Sequence, residues 1–296
     1  MIHLSFSSRP AGPAGDWSRI SHTESCRSPR HVSSHAALAE LVLTQNSQPI
    51  VRVAAMPEQQ RLDLVVSRVQ DLTRSMRRVQ LHGESLEGFD YRPGQDLMIK
   101  VPLEDRLVNR RYSIRRYDPS HLTLDIEVVL HGGGPGARWA TSVSRGDNLE
   151  QVVAPRGKIT LDPLADWHLF VGDETAMPGI FNMAEALPVG QTAAALLEVG
   201  YPEDQIEAPP SIAGHLEWIH RRGLPPGEDH LLIRAVESLH LPDGIGRIYL
   251  AGEARTVITI RDLLVARGHS RERMSVKAYW RRDQPNLDKG EPSSQE

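Results

Sequence analysis

From Arg61 the chain alternates apolar and polar residues with a period of two. Leu62, Leu64 and Val66 come first. Leu97, Ile99 and Val101 come after the turn-forming RPGQ, and Leu122, Leu124, Ile126, Val128 and Leu130 form five successive positions of one face. Successive side chains of a strand point to opposite faces, so each run predicts a half-buried antiparallel strand with its polar partners outward. Shorter β-rich segments at 78–81, 112–117 and 149–153 raise the expected count to about six strands, enough for a small barrel.

The period changes after Pro163. WHLFVG reads as a short buried strand, and Ile180, Met183, Ala184 and Leu187 then share one helical face that Pro188 stops. TAAALLEVG reads as the next strand, although its Ala and Leu content leaves a helix open. Asp229 is placed to cap a helix striped by Leu232, Ala235, Val236 and Leu239. RIYLAGE is a third strand, Val257, Ile260 and Leu264 mark a helix closed by Gly268, and SVKAYW is the last strand. Strands alternating with helices imply a parallel sheet with crossovers. The expected fold class is therefore two-domain β + α/β, with a six-stranded antiparallel β-barrel over 58–162 and a parallel α/β domain over 163–282. Residues 1–57 are rich in Ser, Pro, Gly and Arg and lack periodicity. They read as a disordered extension with a short helix at 36–43, Met56 being an alternative start, and 283–296 reads as a polar tail.

Composition narrows the chemistry. The 296 residues carry a formal charge of −4, which gives no case for a nucleic-acid partner. Cys26 is the single cysteine, so disulfides within the chain, cysteine-ligated iron–sulfur clusters and four-cysteine zinc sites are excluded; redox chemistry here needs an organic cofactor. No run is long and apolar enough to span a membrane and the first residues lack a signal-peptide core, so a cytoplasmic protein is expected.

The glycine-rich HGGGPGARWA contains a G-x-G-x-x-A match (Gly132, Gly134, Ala137) to the dinucleotide fingerprint, yet it leads into a further β segment rather than into the second half of a βαβ unit. Two readings stay open: a tight turn that needs glycine, or a phosphate cradle of backbone amides with Pro135 opening a short helix. RRYSIRRY supplies a partner for the second reading. On a strand Arg110 and Tyr112 share one face and Ser113 takes the other, which offers a cation for pyrophosphate, a flat ring and a short hydroxyl donor. Further on, VGDETAMPGI ends the first strand of the α/β domain, where open parallel sheets bind ligands; Asp173 or Thr175 also suits a helix N-cap. AGE reads either as a strand-to-helix turn or as a wall of that cleft. Arg221 and Arg222 are placed to read a 2′-phosphate or simply to be solvated, and Trp280 either closes the core or covers a ligand. The histidines form no metal constellation.

Taken in order, RRYSIRRY, LDIEVVLHGGGPGARWA, VGDETAMPGI, AGE and YW resemble the siderophore-interacting protein family of flavin-dependent ferric-siderophore reductases, within the ferredoxin–NADP reductase-like superfamily. The resemblance runs from about Leu62 to Arg281. It departs from the family pattern after Trp280, where Arg282 and Asp283 stand near an expected basic residue and glycine, and in AMPGI for the usual ALPAI. It implies an FAD site made by Arg110, Arg111, Tyr112, Ser113, Glu127, His131, Gly134, Pro135, Gly136, Ala137, Trp139 and Trp280. It also implies an NADPH or NADH site bordered by Gly172, Asp173, Glu174, Thr175, Gly252, Glu253 and Arg221. A ferric siderophore would approach past Arg115, Arg116, Lys277, Arg281 or Arg282. A monomer without nucleic-acid partners is expected, and a bulky residue at Gly134 or loss of Arg110 is expected to release flavin first. Two rival functions accompany this one: the same flavin machinery serving a ferredoxin donor or an acceptor such as a quinone, and a siderophore-binding protein without turnover.

Overall fold

A computed structural model describes residues 57–130, 133–225, 227–228 and 230–282. The expectations for the N-terminal extension, His131, the Asp229 cap and the tail from Asp283 lie outside the described residues.

The first half is an antiparallel sheet of β1 (Gln60–Asp71), β2 (Met76–His82), β3 (Asp96–Leu103), β4 (Arg106–Ser113), β5 (Arg116–Asp118), β6 (Thr123–Val129) and β7 (Asn148–Arg156), in the order β4-β3-β7-β1-β2-β6-β5. That is seven strands rather than six among the described residues. The difference lies in one bend: β4 and β5 are joined only by Ile114 and Arg115, whose amides donate to Gln95 O and Asp125 O at 3.0 and 2.9 Å. The bent strand thus carries the chain from one edge of the sheet to the other and curls the sheet into a half-barrel. Inside lie Leu62, Leu64, Val66, Leu97, Ile99, Val101, Leu124, Ile126 and Val128, all buried, each contributing on the order of 1.5–3 kcal/mol. The eight-residue helix α1 (Pro135–Ser142) stops the barrel mouth with Trp139 and Ala140.

The outward residues of β6 depart from expectation. Asp125 and Glu127 are buried, because Arg78 crosses from β2 to Glu127 Oε1 at 2.5 Å and Arg115 lies 3.6 Å from the same oxygen. Outward on a strand is solvent only where nothing packs against that face.

The second half is a five-stranded parallel sheet of β8 (Trp167–Asp173), β9 (Thr192–Val199), β10 (Leu216–His220), β11 (Gly246–Glu253) and β12 (Met274–Trp280), in the order β10-β9-β8-β11-β12. TAAALLEV is thus a strand, and RIYLAGE belongs to the fourth strand, since LEWIH forms an unexpected edge strand. Helices α2 (Met177–Glu185) and α3 (Pro210–Ala213) cover one face; α4 (Leu231–Ser238) and α5 (Ala254–Ala266) cover the other. Every residue of the central β8 is buried, with His168 and Phe170 toward α2 and Trp167, Leu169 and Val171 toward α4 and α5. The chain winds outward from β8 on one side and returns on the other. The ends of β8 and β11 therefore flank a topological switch point, where such sheets bind ligands.

Polar contacts fasten the two halves. Asn182 on α2 accepts from Gly94 N at 2.9 Å and donates to Tyr91 Oη at 2.9 Å and Arg115 O at 3.3 Å. The turn between β1 and β2 reaches the loop after β9 through Ser75 Oγ, which donates to Asp204 Oδ1 at 2.7 Å.

Candidate functional site

The flavin-type cradle begins at the start of α1. Gly133 takes φ +60°, Gly134 is the N-cap without a side-chain cap, and Pro135 occupies the first turn. The amides of Gly136 and Ala137 therefore have no intrahelical acceptor, which leaves them for an anion. Arg138 folds back to this end, its exposed side chain donating from Nη1 to Gly133 O, just before the N-cap, at 2.5 Å. Tyr112 on β4 stacks obliquely on Trp139, with centroids 5.9 Å apart and planes at 34°. Its ring is half-exposed, but its hydroxyl is buried without a partner among the described residues. Burial pushes that phenol well above its ordinary pKa, so it stays a neutral donor. The hydroxyl lies against Gly136, where an added Cβ would overlap it. An orphaned buried hydroxyl, two unused amides and a glycine with no room for a side chain fit a phosphate-bearing cofactor such as FAD. Gly134, by contrast, has open space around its Cβ direction, so the steric constraint expected there belongs to Gly136.

Ser113 takes the other face of β4, as alternation requires. It is buried, with Oγ 3.3 Å from the hydroxyl of Tyr279 on β12 and 2.9 Å from a Cβ placed on Gly179 of α2. Tyr279 was not expected from the sequence. The available signal was alternation itself, since the neighbour of Trp280 must point to the opposite side. Arg110 lies at the same end, its Nη1 donating to Asn109 O at 2.6 Å.

At the switch point, Asp173 Oδ1 accepts from Thr175 N at 2.9 Å and Thr175 Oγ1 at 2.5 Å, while Oδ2 accepts from Glu253 N at 2.8 Å and Trp280 Nε1 at 3.0 Å. Asp173 is therefore the anchor of a turn before α2, whose N-cap is Ala176. Burial, reinforced by the charge of Glu174, raises the Asp173 pKa. Glu253 caps α5 by accepting from Thr256 N at 2.9 Å, so the AGE segment is both a strand-to-helix turn and a rim of the cleft. Gly172 and Gly252 admit no side chain: a Cβ would lie 2.6 Å from Ala251 O in the first case and 2.6 Å from Asp173 Oδ2 in the second.

Several expected ligand cations are occupied by protein carboxylates. Arg221 is 4% exposed and forms a double hydrogen bond with Glu174, with Glu198 at 3.4 Å and Leu224 O taking Nε at 3.1 Å, so neither it nor Glu174 is turned toward a 2′-phosphate. Arg111 grips Asp96 at 3.0 and 2.8 Å, and Lys277 reaches the same carboxylate at 2.5 Å, which ties β3 and β4 to β12. Arg115 is buried against Glu185, with two bonds of 2.8 Å. Glu127 is held by Arg78. Burying a charge demands such a partner, and none of these pairings is visible in a linear sequence. Arg281 is half-buried, and Arg282 turns to Glu228 at 2.9 Å. Arg116 is exposed, 3.5 Å from Glu185, on a cleft of about 610 Å³ between the halves, lined with Arg78, Arg115, Glu185, Ile206 and Pro209. No cluster of metal-ligating side chains occurs among the described residues.

An antiparallel half-barrel with a phosphate cradle, joined to a parallel sheet whose switch point faces the same strand, defines a flavin- and pyridine-nucleotide-dependent reductase fold. The likeness to a ferredoxin–NADP⁺ reductase from Neisseria gonorrhoeae with bound FAD and NADP, at a TM-score of 0.53 and 12% identity over 74% of this chain and 98% of that one, is a likeness of fold. More specifically, residues 92–159 match the siderophore-interacting FAD-binding domain and residues 165–283 match the siderophore-interacting protein model. Ferric vibriobactin reductase of Vibrio cholerae is 30% identical over 71% of this chain and 86% of its own length. The NADPH-dependent ferric-chelate reductase of Escherichia coli is 26% identical over 74% and 92%. A siderophore utilization protein from T. fusca superposes with a TM-score of 0.70 at 33% identity, over 79% of this chain and 97% of that one. The chain belongs to the siderophore-interacting protein family.

Proposed function

We propose that the protein is an FAD-dependent reductase that takes electrons from NADPH or NADH and passes them to Fe(III) in a ferric siderophore, releasing Fe(II) in the cytoplasm and working as a monomer. The observation that carries this reading is the meeting of two half-sites on one strand: Tyr112 faces the cradle at Gly136, and Ser113, the next residue, faces the end of β12 at Tyr279. FAD, when bound, supplies the conversion of a two-electron hydride into single electrons. Arg110 and the amides of Gly136 and Ala137 would hold its pyrophosphate, Tyr112 would wall its rings with Trp139 packed behind it, and the Ser113 hydroxyl would offer a hydrogen bond at the reacting edge. Gly172, Gly252 and Glu253 would form the shelf for the nicotinamide, their packing at the ends of β8 and β11 giving it a fixed seat, as hydride transfer demands close positioning. Arg116, at the mouth of the cleft, attracts an anionic ferric siderophore, with Arg78 and Arg115 deeper along its wall. Fe(II) leaves more readily than Fe(III) because its lower charge weakens the attraction to anionic oxygen ligands.

Purified protein should be yellow, and anaerobic NADPH or NADH should bleach it. Addition of ferric siderophores with an Fe(II)-trapping dye should then give nucleotide oxidation and coloured Fe(II) complex in proportion. Protein that takes up no FAD, or FAD that neither nucleotide reduces, would refute the reading. Reduction of a quinone with every ferric siderophore inert would leave the flavin assignment and overturn the substrate.

A further inference from the structure

Four strands bring polar side chains into register on the outside of the barrel. Arg68 on β1 pairs with Gln80 on β2, Gln80 with Asp125 on β6, and Asp125 with Arg116 on β5, so the four form one row across the sheet. Gln70, Arg78 and Glu127 form the next row. Between them lies a recess of about 190 Å³ lined by Arg68, Gln70, Arg78, Gln80, Arg116 and Asp125, with room for roughly six waters. Asp125 is the buried member of this set: it is 7% exposed, and its Oδ1 has no partner among the described residues. The donors around it are unspent. Arg78 gives Nε and Nη2 to Glu127 Oε1 at 3.1 and 2.5 Å, which leaves its Nη1 without a partner among the described residues. Arg116 approaches Glu185 only to 3.5 Å, and Arg68 is exposed and meets no carboxylate among the described residues. Gln80 accepts from Ser67 Oγ at 3.0 Å through its side-chain oxygen and keeps its amide donors. Folded proteins seldom bury an acceptor unanswered amid unspent donors, so a partner from outside the chain belongs here.

We propose that this recess is a second ligand site, apart from the flavin cradle and the switch point, and that it takes a small hydroxylated polycarboxylate whose carboxylates meet Arg68, Arg78 and Arg116 while its hydroxyl donates to Asp125 Oδ1. The arginines call for negative charge. Asp125 repels it, so the part of the ligand that faces Asp125 must carry a proton donor. β1 and β5 stand three strand spacings apart, about 14 Å, so separated carboxylates meet Arg68 and Arg116 better than one compact anion does. The volume falls below the roughly 300–1,000 Å³ of sites for drug-sized molecules, which keeps the ligand small. Arg78 and Arg116 also line the neighbouring cleft assigned to the ferric siderophore, so an occupant of the recess screens two of that cleft's cations. Binding in the recess needs neither flavin nor nucleotide and does not depend on the reductase reading.

Isothermal titration calorimetry on the full chain, in low-salt buffer free of other polyanions, compares citrate with tricarballylate, which has the same carboxylates and lacks the hydroxyl. Citrate should bind about 10- to 100-fold more tightly, the worth of a hydrogen bond to a charged acceptor. Asp125→Asn keeps the shape and offers a neutral acceptor. It should reduce that preference to about two- to tenfold and should improve the binding of tricarballylate, because a facing negative charge is gone. Arg68→Ala alters an exposed side chain and leaves the fold intact, so it decides the matter even where Asp125→Asn fails to fold; it should weaken both ligands alike, by about two- to fivefold, with the preference for citrate kept. Equal affinity for citrate and tricarballylate, or no binding of either at millimolar concentration, would overturn the proposal and leave water to satisfy Asp125. Phosphate or sulfate binding more tightly than citrate, or citrate binding that Arg68→Ala does not weaken, would overturn it as well.

Discussion

The most exposed point of the cofactor assignment is Gly136. A methyl group there would overlap the Tyr112 hydroxyl, while its next neighbours, Tyr112 Cζ and Arg110 Cγ, lie at ordinary contact distances of 3.6 and 3.8 Å. Only the hydroxyl must move, but the ring that carries it is packed on Trp139 and cannot simply withdraw. Overpacking of this kind costs about 1–3 kcal/mol, while Gly to Ala inside a helix returns up to about 1 kcal/mol. The FAD-free protein should therefore lose between nothing and about 2–3 kcal/mol of stability, which urea unfolding without FAD measures separately. FAD loses the intended position of both Tyr112 and the first-turn amides, and its affinity should fall roughly 5- to 100-fold, the equivalent of about 1–3 kcal/mol. Gly134→Ala is the matched control, with open space around it and an ordinary φ of −67°; it should bind FAD within about threefold of wild type, reflecting only a weaker N-cap. Titration of FAD fluorescence into flavin-stripped protein measures all three. Adding Tyr112→Phe removes the clashing atom, so Gly136→Ala should cost far less in that background. If Gly136→Ala binds FAD as tightly as wild type, or if Tyr112→Phe does not relieve it, the cradle has been placed wrongly.

His168 is fully buried between Phe170 and Tyr249, with neither ring nitrogen bonded among the described residues, and burial pulls its pKa down to about 4. Its neutral form favours the fold above the unfolded value of about 6.5, and that stability is lost as pH falls toward 4, amounting to about 3 kcal/mol at about 1.4 kcal/mol per pKa unit; urea melts at pH 7, 5.5 and 4.5 should show the loss, and His168→Phe should flatten it. Asp96→Ala strands Arg111 and Lys277 without their shared carboxylate and should cost about 3–5 kcal/mol in urea unfolding, whereas Lys277→Met leaves the Arg111 pair and should cost clearly less. Arg116→Glu reverses an exposed charge at the mouth of the cleft. It should raise KM for an anionic ferric siderophore about two- to fivefold at low salt, with the effect fading as salt is added and the reduction of a neutral dye unchanged. Arg221→Met should destabilise the protein by about 3–5 kcal/mol and, where it folds, affect NADPH and NADH alike; a selective rise in KM for NADPH would restore Arg221 as a phosphate reader.

How much of the fold and the site is legible in the sequence depends on the range of the interaction concerned. Alternation locates the barrel strands and the switch of period locates the parallel sheet, because both arise from where neighbouring side chains must point. The one strand overlooked, β10, is an edge strand with only Ile219 fully buried, so its apolar signal is too thin to register. The split of the 112–117 segment into two strands is equally invisible, since a bend within a continuous β stretch leaves no mark on period. The glycine-rich loop is set apart from a dinucleotide fingerprint by its context, a short helix leading into an antiparallel strand. Which glycine is sterically essential depends on a tyrosine 24 positions earlier, and that only packing reveals.

Charged residues are the least legible. Arg221, Arg115, Lys277 and Arg111 all read as cations awaiting an anionic ligand, and each is held by a carboxylate from another element: Lys277 by Asp96, 181 residues away, and Arg221 by Glu174, 47 residues away. A sequence displays the cation but not its partner, and burial decides between the two readings, because a buried arginine without a carboxylate is too costly to persist. The same reasoning runs in reverse for the groups that do face a ligand. The Tyr112 hydroxyl is buried and unanswered within the described protein, which folded proteins seldom tolerate, so a partner from outside the chain is the natural resolution. Asp173 presents the contrary case. An acidic residue at the binding end of a parallel sheet reads as a ligand contact, yet its four bonds are all internal.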